Sequence, residues 1–522
     1  MPEYLRPGVF IEEIERGPRP IEGVPTSTAA FLGEAERGPT KPRMVTSYSE
    51  YKRWFGDVFG DRNRYLPYAA NGFFENGGRR LFICRIVGQG SVAASKAFGD
   101  FVVSAVGAGE WSNRVWVGIE DSTTQTTDAG GAKVPVGFRI KVAYWAATPQ
   151  GFQPFDPLDP ANRALLPRPS LTEDFDDLVV NPQSPDFYEK RLIDNSALIA
   201  VERVGGNAAS LPARDAGLLA AGQDDAVAVG IDDFVGEPVP GQRDRPQGLN
   251  VLELDPYREV ALVHAPRPAV DAERIDMAVI GHCERMRFRF AVVDAPPDVG
   301  DPNALDPRTT LTDSSYGAFY HPWIRISDPQ TGALKWVPPG GYALGIYART
   351  DIERGVFKAP ANEIVRGAVD LQVDIKDAAQ EVLNPRGVNA IRRFPGRGIR
   401  VWGARTLSSN GLWKYVSVRR LFIFLERSIY ENTQWVVFEP NDDRLWARLK
   451  DTIRLFLRAQ WRGGALFGQK EEEAFFITCD RTVMSQDDVL NGRLVCEIGI
   501  APVRPAEFVI FRIFQNTAEA QR

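Results

Sequence analysis

Cysteine and long apolar runs are scarce among the 522 residues of this chain. The four cysteines (Cys84, Cys283, Cys479 and Cys496) lie far apart and form no CxxC pair, which argues against a zinc site and a disulfide framework. We expect buried, reduced thiols in a protein made in the cytosol. No run of about 18 apolar residues occurs, and the first residues lack the basic and apolar regions of a signal peptide. We therefore expect cytoplasmic synthesis without a signal peptide and no membrane insertion.

Neither positive nor negative side chains dominate the sequence. The formal net charge is -6, and 25% of the residues are charged, with both signs interspersed along the chain. A dedicated nucleic-acid-binding protein would concentrate positive charge, so no nucleic-acid partner is expected.

The residues and motifs of common enzymes are absent or incomplete. Three histidines leave few ways to build a catalytic triad or a metal site, and His282 and Cys283 would diverge by about 100° on a helix. The segment GGALFGQK (463–470) has phosphate-loop spacing but carries Gln469 where a lysine is required. No G-x-S-x-G motif occurs. The sequence predicts no catalytic residue, no cofactor and no metal, and so no enzyme.

Periodic patterns nevertheless indicate packed domains. Between residues 27 and 91 we predict a strand at TAAFLG, a helix opened by a capping box at Ser47, and a buried strand at RRLFICRIV. Short alternating runs from residue 92 to about 200 are typical of a β-sandwich. The segment from 258 to 294 reads as a strand, a helix and a strand, which favours a parallel sheet covered on both faces.

A helix at 442–461 is the clearest single element. At about 100° per residue, its apolar positions fall on one side: Leu445, Leu449, Ile453, Phe456 and Leu457. Its arginines fall on the opposite side, in a stripe roughly 120° wide: Arg444, Arg448, Arg454, Arg458 and Arg462.

The C-terminal stretch AEFVIFRIFQ (506–515) is apolar on both faces of a strand, because strand side chains alternate. Burial of its six large apolar side chains would contribute up to about 9–18 kcal/mol, which rivals the stability of a typical domain. We therefore expect this strand to pair within its own fold or with another chain. Near the other end, the short strand VFIEEIE precedes a proline-rich connector, RGPRPIEGVPTS.

The chain resembles contractile tail sheath proteins, the family of contractile phage tails and of phage-tail-like extracellular injection systems. The resemblance is carried by several stretches: YLRPGVFIEEI, TSTAAFLGEAERGP, FFENGGRRLFICRI, GEWSNRVWV, ERMRFRFAVVDAP, VPPGGYALGIYARTDIERGVFKAPAN, VWGARTLSSNGLWKYVSVRRLFIFLERSI, WVVFEPN and EIGIAPVRPAEFVIFRIFQ. It covers nearly the full length and is most specific in the C-terminal third. One departure is Gly340, where many relatives would have serine.

This resemblance implies an α+β multidomain fold. An α/β core would be built from N- and C-terminal segments, with an inserted β-sandwich, a subtilisin-like but non-catalytic α/β domain, and extended arm strands. The implied boundaries are 1–26 (N-terminal arm and linker), 27–91 (N-terminal part of the core), 92–205 (β-sandwich), 206–400 (subtilisin-like domain), 401–504 (C-terminal core domain) and 505–522 (C-terminal arm).

The resemblance also implies a function. Subunits would stack as hexameric rings in a helical sleeve around an inner tube, and contraction would drive that tube through a target envelope. The implied partners are further copies of the chain, an inner tube protein, and baseplate and terminal cap proteins, in a phage tail or a tail-like particle that is retained or released from the cell. Arm strands would join neighbouring subunits through ten apolar residues: Val9, Phe10, Ile11, Ile14, Phe508, Val509, Ile510, Phe511, Ile513 and Phe514.

Two points stay open at the level of sequence. The arginine stripe of the 442–461 helix would contact the inner tube, or else form a solvated face or an intersubunit salt-bridge surface. A non-contractile tail tube or baseplate component, or a hydrolase that uses the α/β region, remains an alternative function.

Overall fold

The computed structural model describes residues 20–59, 64–127, 130–207, 209–237 and 246–512. Its contacts divide the chain into two units. The larger unit is Pro25–Arg419, and the described part of the smaller unit is residues 20–24 and 420–512.

The larger unit contains most of the strands. They are β1 (Ala29–Gly33), β2 (Arg43–Val45), β3 (Leu81–Arg85), β4 (Ser95–Phe98), β5 (Phe101–Ala105), β6 (Val115–Asp121), β7 (Gln125–Thr127), β8 (Lys133–Pro135), β9 (Phe138–Tyr144), β10 (Leu171–Leu178), β11 (Ile199–Arg203), β12 (Ala216–Leu218), β13 (Leu262–His264), β14 (Phe290–Asp294), β15 (Gly317–His321), β16 (Ile324–Ser327), β17 (Leu334–Val337), β18 (Glu363–Ile364), β19 (Ala368–Leu371), β20 (Val388–Phe394) and β21 (Gly398–Val401).

The helices of the larger unit lie between these strands. They are α1 (Tyr48–Phe55), α2 (Leu66–Glu75), α3 (Tyr188–Leu192), α4 (Ile231–Val235), α5 (Ala272–Met286), α6 (Pro307–Thr310), α7 (Gly340–Arg354) and α8 (Asp377–Leu383). The chain continues through α9 (Val416–Asn432), α10 (Asp443–Arg462), α11 (Glu471–Ala474), β22 (Phe475–Thr478), α12 (Gln486–Leu490) and β23 (Glu497–Ile500).

A nine-stranded sheet forms the centre of the larger unit, in the order β18-β21-β20-β15-β14-β13-β1-β3-β2. The strands from β20 to β3 pair in parallel, and antiparallel partners close both edges. Every residue of β1, β3, β14 and β15 is buried, as expected for parallel strands covered on both faces. The predicted parallel unit of strand, helix and strand is confirmed as β13, α5 and β14.

This sheet also joins segments that the sequence analysis assigned to separate domains. β1 pairs with β3 on one side and with β13 on the other, so residues 27–91 and 206–400 contribute to one continuous sheet. Register between β1 and β13 matches Ala29 with Leu262 and Phe31 with His264.

The buried helix α7 lies close against α2 because glycines remove side chains at the crossing. A Cβ atom at Gly72 would come within 2.4 Å of the Tyr342 ring, and one at Gly341 within 2.6 Å of the Ala69 backbone. The glycines of the GGYALG segment therefore allow a helix–helix approach that larger residues would block.

Residues 92–205 contribute strands to a four-stranded sheet (β10-β9-β6-β12) and a three-stranded sheet (β11-β5-β4). Phe101 and Val103 of one sheet share a hydrophobic core with Val117, Ile140 and Val142 of the other. The proline-rich stretch at 149–170 packs beside this region, where the rings of Phe152 and Phe155 lie about 5 Å from Trp145.

The smaller unit is built around α10 and an antiparallel pair of strands, β22 and β23. Residues 20–24 lie along α9, where the Val24 amide donates to Ser428 Oγ at 3.1 Å and the Asn432 side-chain amide donates to the Glu22 carbonyl at 3.1 Å. This end of the predicted connector is therefore held against a helix.

Candidate functional site: assembly surfaces

The helix predicted at 442–461 is present as α10, one residue further along the chain. The Asp442 side chain caps its N-terminus by accepting a hydrogen bond from the Leu445 amide at 2.9 Å. All five apolar residues predicted to face the core are buried: Leu445, Leu449, Ile453, Phe456 and Leu457. The apolar half of the helix is thus confirmed, and the arginines lie on its outer half.

Two arginines of the stripe share one carboxylate within the chain. Arg454 Nε donates to Glu471 Oε1 at 2.5 Å, and Arg458 Nε donates to Glu471 Oε2 at 2.6 Å. Hydrogen bonding from Arg458 is the largest effect that lowers the pKa of the Glu471 carboxyl. Reversing the charge of both arginines would therefore disturb the local fold as well as any partner contact.

Of the other three arginines, Arg448 is paired and Arg444 and Arg462 are free of ion pairs with described residues. Arg448 Nη2 donates to Glu439 at 3.1 Å, and its guanidinium lies 4.3 Å from the centre of the Trp435 ring. Arg444 and Arg462 are exposed and form no ion pair with any residue that the structure describes. The sequence predicts a uniform arginine stripe. In the structure its middle residues form ion pairs, and only the arginines at its two ends, Arg444 and Arg462, form none with a described residue.

Glu471 is the residue of this surface that sequence reasoning missed. It follows the GGALFGQK segment, whose spacing resembles a phosphate loop, and it opens the acidic run 471–473. An acidic run soon after an arginine-rich helix was the available signal.

The C-terminal segment is the second candidate surface. After β23, the Val503 amide donates to the Ala465 carbonyl at 3.2 Å. Residues 503–512 form neither helix nor strand in the single chain. Four large apolar side chains are highly exposed there: Phe508 (73%), Val509 (68%), Ile510 (78%) and Phe511 (84%).

The remaining predicted arm residues lie outside the described residues. They are Val9, Phe10, Ile11, Ile14, Ile513 and Phe514.

The histidines are buried, and none lies in an open cleft. His264 Nδ1 hydrogen-bonds the Val292 carbonyl at 2.9 Å, and its Nε2 lies 3.5 Å from Asp294 Oδ2. Burial lowers the pKa of His264 to about 4 and raises the pKa of Asp294 to about 7. A substrate has no access to this pair, since both side chains are at most 1% exposed.

His282 and its sequence neighbour Cys283 lie in different surroundings. Arg289 Nη1 donates to His282 Nε2 at 2.6 Å, while Cys283 lies in the sheet-facing core. Among the described residues, no group of three His, Cys, Asp or Glu side chains converges as a metal site would require. In the same part of the chain, no helix combines the length and the apolar character needed to cross a bilayer.

Comparison with known protein families decides the identity. A family model of the phage tail sheath protein central domain matches residues 249–407, and a model of the phage tail sheath C-terminal domain matches residues 408–516. Together they cover about half of the chain, without a gap between them. The chain belongs to the phage tail sheath protein family. The resemblance noted in the sequence is thereby confirmed.

Curated relatives of this sheath chain agree. It is 25% identical over 276 residues to a prophage protein of Pseudomonas aeruginosa (strain UCBPP-PA14) described as a major tail sheath protein. The alignment covers 51% of the chain and 66% of that protein. It is also 25% identical over 190 residues to the tail sheath protein of Vibrio phage KVP40, covering 36% of the chain and 27% of that protein. The chain thus aligns with less than two thirds of the length of these relatives.

Solved structures match over the whole length. The sheath chain superposes on the sheath complex of an extracellular contractile injection system, PVC, in its contracted state with a TM-score of 0.57, 21% identity and full coverage of both chains. The contracted helical sheath of the anti-feeding prophage gives a TM-score of 0.56, 24% identity, and coverage of 98% and 99% of the two chains. The mixed α/β fold is therefore that of sheath proteins.

Proposed function

We propose that this chain is the structural subunit of a contractile tail sheath. It polymerises with copies of itself as stacked hexameric rings in a helical sleeve, and contraction of the sleeve drives an inner tube through a target envelope. Membership of the sheath family and the full-length likeness to sheath chains support this function. The chain is not an enzyme in this proposal, and its buried His264 and Asp294 serve the fold.

The exposed C-terminal segment carries the proposal. Phe508, Val509, Ile510 and Phe511 follow a well-packed unit, yet water reaches more than two thirds of each side chain. A contiguous apolar stretch of this kind is costly for a monomer and marks a surface that another protein covers. An apolar segment with free backbone groups suits addition to a neighbour's sheet.

Strand exchange also explains the symmetry of a sleeve. A segment that leaves one subunit and pairs with a different surface on the next makes a head-to-tail contact, which builds an open helix when it does not close into a ring. We propose that Val9, Phe10, Ile11 and Ile14 form the matching N-terminal strand.

We also propose which parts of the chain form the β-sandwich and the subtilisin-like domain. The two sheets around Phe101 and Ile140 would be the β-sandwich insertion, and the region that includes β13–β21 would be the subtilisin-like, non-catalytic domain. Both would form outward-facing layers of the sleeve. The boundaries proposed from sequence are kept, with residues 27–91 sharing the central sheet.

The proposed partners are further copies of the chain, an inner tube protein, and baseplate and terminal cap proteins. Arg444, Arg448 and Arg462 would meet an acidic inner tube, with Arg454 and Arg458 contributing through the Glu471 cluster. No nucleic acid and no membrane insertion is involved. The particle would assemble in the cytoplasm as part of a phage tail or a tail-like particle.

Electron microscopy of the purified full chain beside a chain that ends at Pro505 tests the proposal. We expect the full chain to form striated hollow tubes and the truncated chain to remain as dispersed, folded particles. Dispersed full-length chains together with an unfolded truncation would place the segment in the chain's own core and would refute the proposal.

A matched substitution sharpens this test without shortening the chain. Val509→Asp combined with Phe511→Asp places two charges on one face of the predicted strand and should abolish tubes. Leu490→Asp in α12 changes another highly exposed apolar residue, 77% exposed, and should leave tubes intact. Equal loss of tubes in both variants would show that the segment has no special role.

A further inference from the structure

Two cysteines that are distant in sequence meet at the end of the β22–β23 pair. The register matches Phe475 with Ile500 and Thr478 with Glu497. One further step along the same register places Cys479 opposite Cys496. The two thiols are near enough for each to shift the pKa of the other.

The type of pair formed at this position favours a covalent bond. The Ala501 amide donates to the Ala474 carbonyl at 2.9 Å, which marks Ala474 and Ala501 as a hydrogen-bonded pair. Hydrogen-bonded and non-hydrogen-bonded pairs alternate along an antiparallel ladder, so extending the alternation one residue past Thr478 and Glu497 gives Cys479 and Cys496 a non-hydrogen-bonded position. Cα atoms of such pairs are typically about 4.5 Å apart, within the range of roughly 4.4–6.8 Å that disulfides span.

Burial and reactivity differ between the two thiols. Cys479 is 4% exposed and lies on the same side of β22 as the buried Phe475 and Ile477, whereas Cys496 is half-buried. The interaction with Cys496 is the largest effect that lowers the pKa of the Cys479 thiol. The same interaction, followed by burial, raises the pKa of the Cys496 thiol. A small reagent can therefore reach the half-buried Cys496, and the thiol with the lower pKa, Cys479, lies beside it.

We propose that Cys479 and Cys496 are a modification site at which oxidation by a low-molecular-weight disulfide forms an intrasubunit disulfide bond. Cys496, once its thiol has lost its proton to solvent, attacks one sulfur of the oxidant, which breaks the oxidant's disulfide, releases one thiolate and leaves a mixed disulfide on Cys496. The Cys479 thiolate then attacks the Cys496 sulfur and releases the second thiolate. Both cysteines are oxidised, the oxidant is reduced to two thiols, and two protons pass from the cysteines to the released thiolates or to solvent.

The other cysteines lack this arrangement. Cys84 and Cys283 are both 0% exposed. Burial raises the pKa of the Cys84 thiol and raises that of Cys283 to about 12, so neither forms a thiolate readily. Oxidation should therefore be confined to the pair in the smaller unit.

The bond would act on the base of the C-terminal segment. It would close the loop that contains α12 and would fix the start of β23, whose other end leads into residues 503–512. Its effect on assembly rests on the proposed sheath function, but formation of the bond does not. In a reducing cytosol the pair would remain as thiols, and it would close once a released particle meets an oxidising medium.

The test uses the purified full-length protein in glutathione buffers of increasing oxidised fraction, followed by acid quenching, thiol alkylation and peptide mass spectrometry. We expect the 479 and 496 peptides to become linked within one chain, two hydrogen atoms lighter than the dithiol form, and to separate again on reduction. Cys84→Ser should oxidise as the unmodified chain does, whereas Cys496→Ser should lose the linkage.

Three results would overturn the proposal. They are a stable glutathione adduct on Cys496 without closure, linkage only between different chains, and complete alkylation of both thiols in a chain whose circular dichroism stays native. Because the unmodified protein gives the decisive reading, a variant that fails to fold does not spoil the test. Sheath formation, scored separately by microscopy, distinguishes failure of this site from failure of the proposed function.

Discussion

Arg458 and Glu471 are joined by two hydrogen bonds, from Nε to Oε2 at 2.6 Å and from Nη2 to Oε1 at 3.2 Å. Glu471 is the first residue of α11, so the pair ties the outer face of α10 to the start of β22 through a single carboxylate. Arg454 shares the same carboxylate.

Glu471→Gln should weaken this tie, because the amide keeps one acceptor but loses the negative charge. We expect a fall in Tm of about 1–3 °C at low ionic strength that shrinks in 1 M salt. The neighbouring Glu472 is exposed and has no ion pair with a described residue, so Glu472→Gln serves as the matched control. Equal shifts in both variants would argue against the pair.

The effect of Glu471 on Tm should also depend on pH, through protonation of its carboxyl. Because the folded-state pKa of Glu471 is lowered, its stabilising effect is present above the unfolded value near 4.5 and is lost as pH falls through the folded value. The Tm difference between the unmodified chain and Glu471→Gln should therefore narrow below pH 4.5.

Arg444 and Arg462 allow the tube contact to be tested without breaking an internal pair. They lie near opposite ends of α10, about 27 Å apart at 1.5 Å per residue. The double reversal Arg444→Glu and Arg462→Glu should leave Tm within about 2 °C, since both side chains are exposed, but should prevent sheaths of normal length on a tube.

A charge-matched control is available in the proline-rich stretch. Arg163→Glu with Arg168→Glu changes the net charge by the same amount at two exposed positions of the larger unit. Sheath length measured by electron microscopy should be normal in this control. Normal sheaths from the α10 reversal as well would remove the proposed tube contact.

Local elements could be predicted from sequence because their causes are local. Ser47 caps α1 by accepting from the Glu50 amide at 3.1 Å, and the apolar period of α10 gave its buried face. The order of the nine-stranded sheet could not be read in the same way. Pairing β1 with β13 joins residues more than two hundred positions apart, and no local pattern encodes that choice.

On the assembly surfaces, too, local geometry could be predicted from sequence and long-range contacts could not. The outer position of the arginines followed from helix geometry, but their pairing with Glu471 depends on how the 463–470 segment turns back towards α10. Likewise, the distance between Cys479 and Cys496 in sequence concealed their contact, which only the β22–β23 register reveals.

Gly340 leads to a prediction about packing. Its amide donates to Asp294 Oδ1 at 2.7 Å, and a Cβ atom would come within 2.4 Å of the buried His264 ring. Gly340→Ala should therefore destabilise the larger unit by about 1–3 kcal/mol, as overpacking commonly does, measured as a lower urea midpoint.

Gly281 provides the opposite case. It lies within α5, and a Cβ atom there would meet nothing within 4 Å. Gly281→Ala should stabilise the fold by about 0.5–1 kcal/mol, because alanine favours the helix. An unchanged midpoint in Gly340→Ala, beside a raised one in Gly281→Ala, would show that the site around His264 can relax.

His282 should make the larger unit sensitive to acid. Burial, and then the positive charge of Arg289, lower the pKa of His282 to about 3 from an ordinary value of 6.5. A lowered pKa means that the stabilising effect is present above pH 6.5 and is lost as pH falls towards 3, because the unfolded chain takes up the proton first. Between pH 7 and pH 5 this single group should reduce the free energy of unfolding by about 2 kcal/mol.

His282→Gln isolates that effect, since glutamine offers Arg289 a neutral acceptor that does not titrate. His264, His321 and Asp294 titrate in both proteins, so their contributions cancel in the comparison. Urea unfolding at pH 7 and pH 5 should show a smaller loss in the variant, whatever its stability at pH 7. Equal losses in the two proteins would mean that His282 is not held neutral by its burial against Arg289, and the acid sensitivity would then have to come from the other buried histidines.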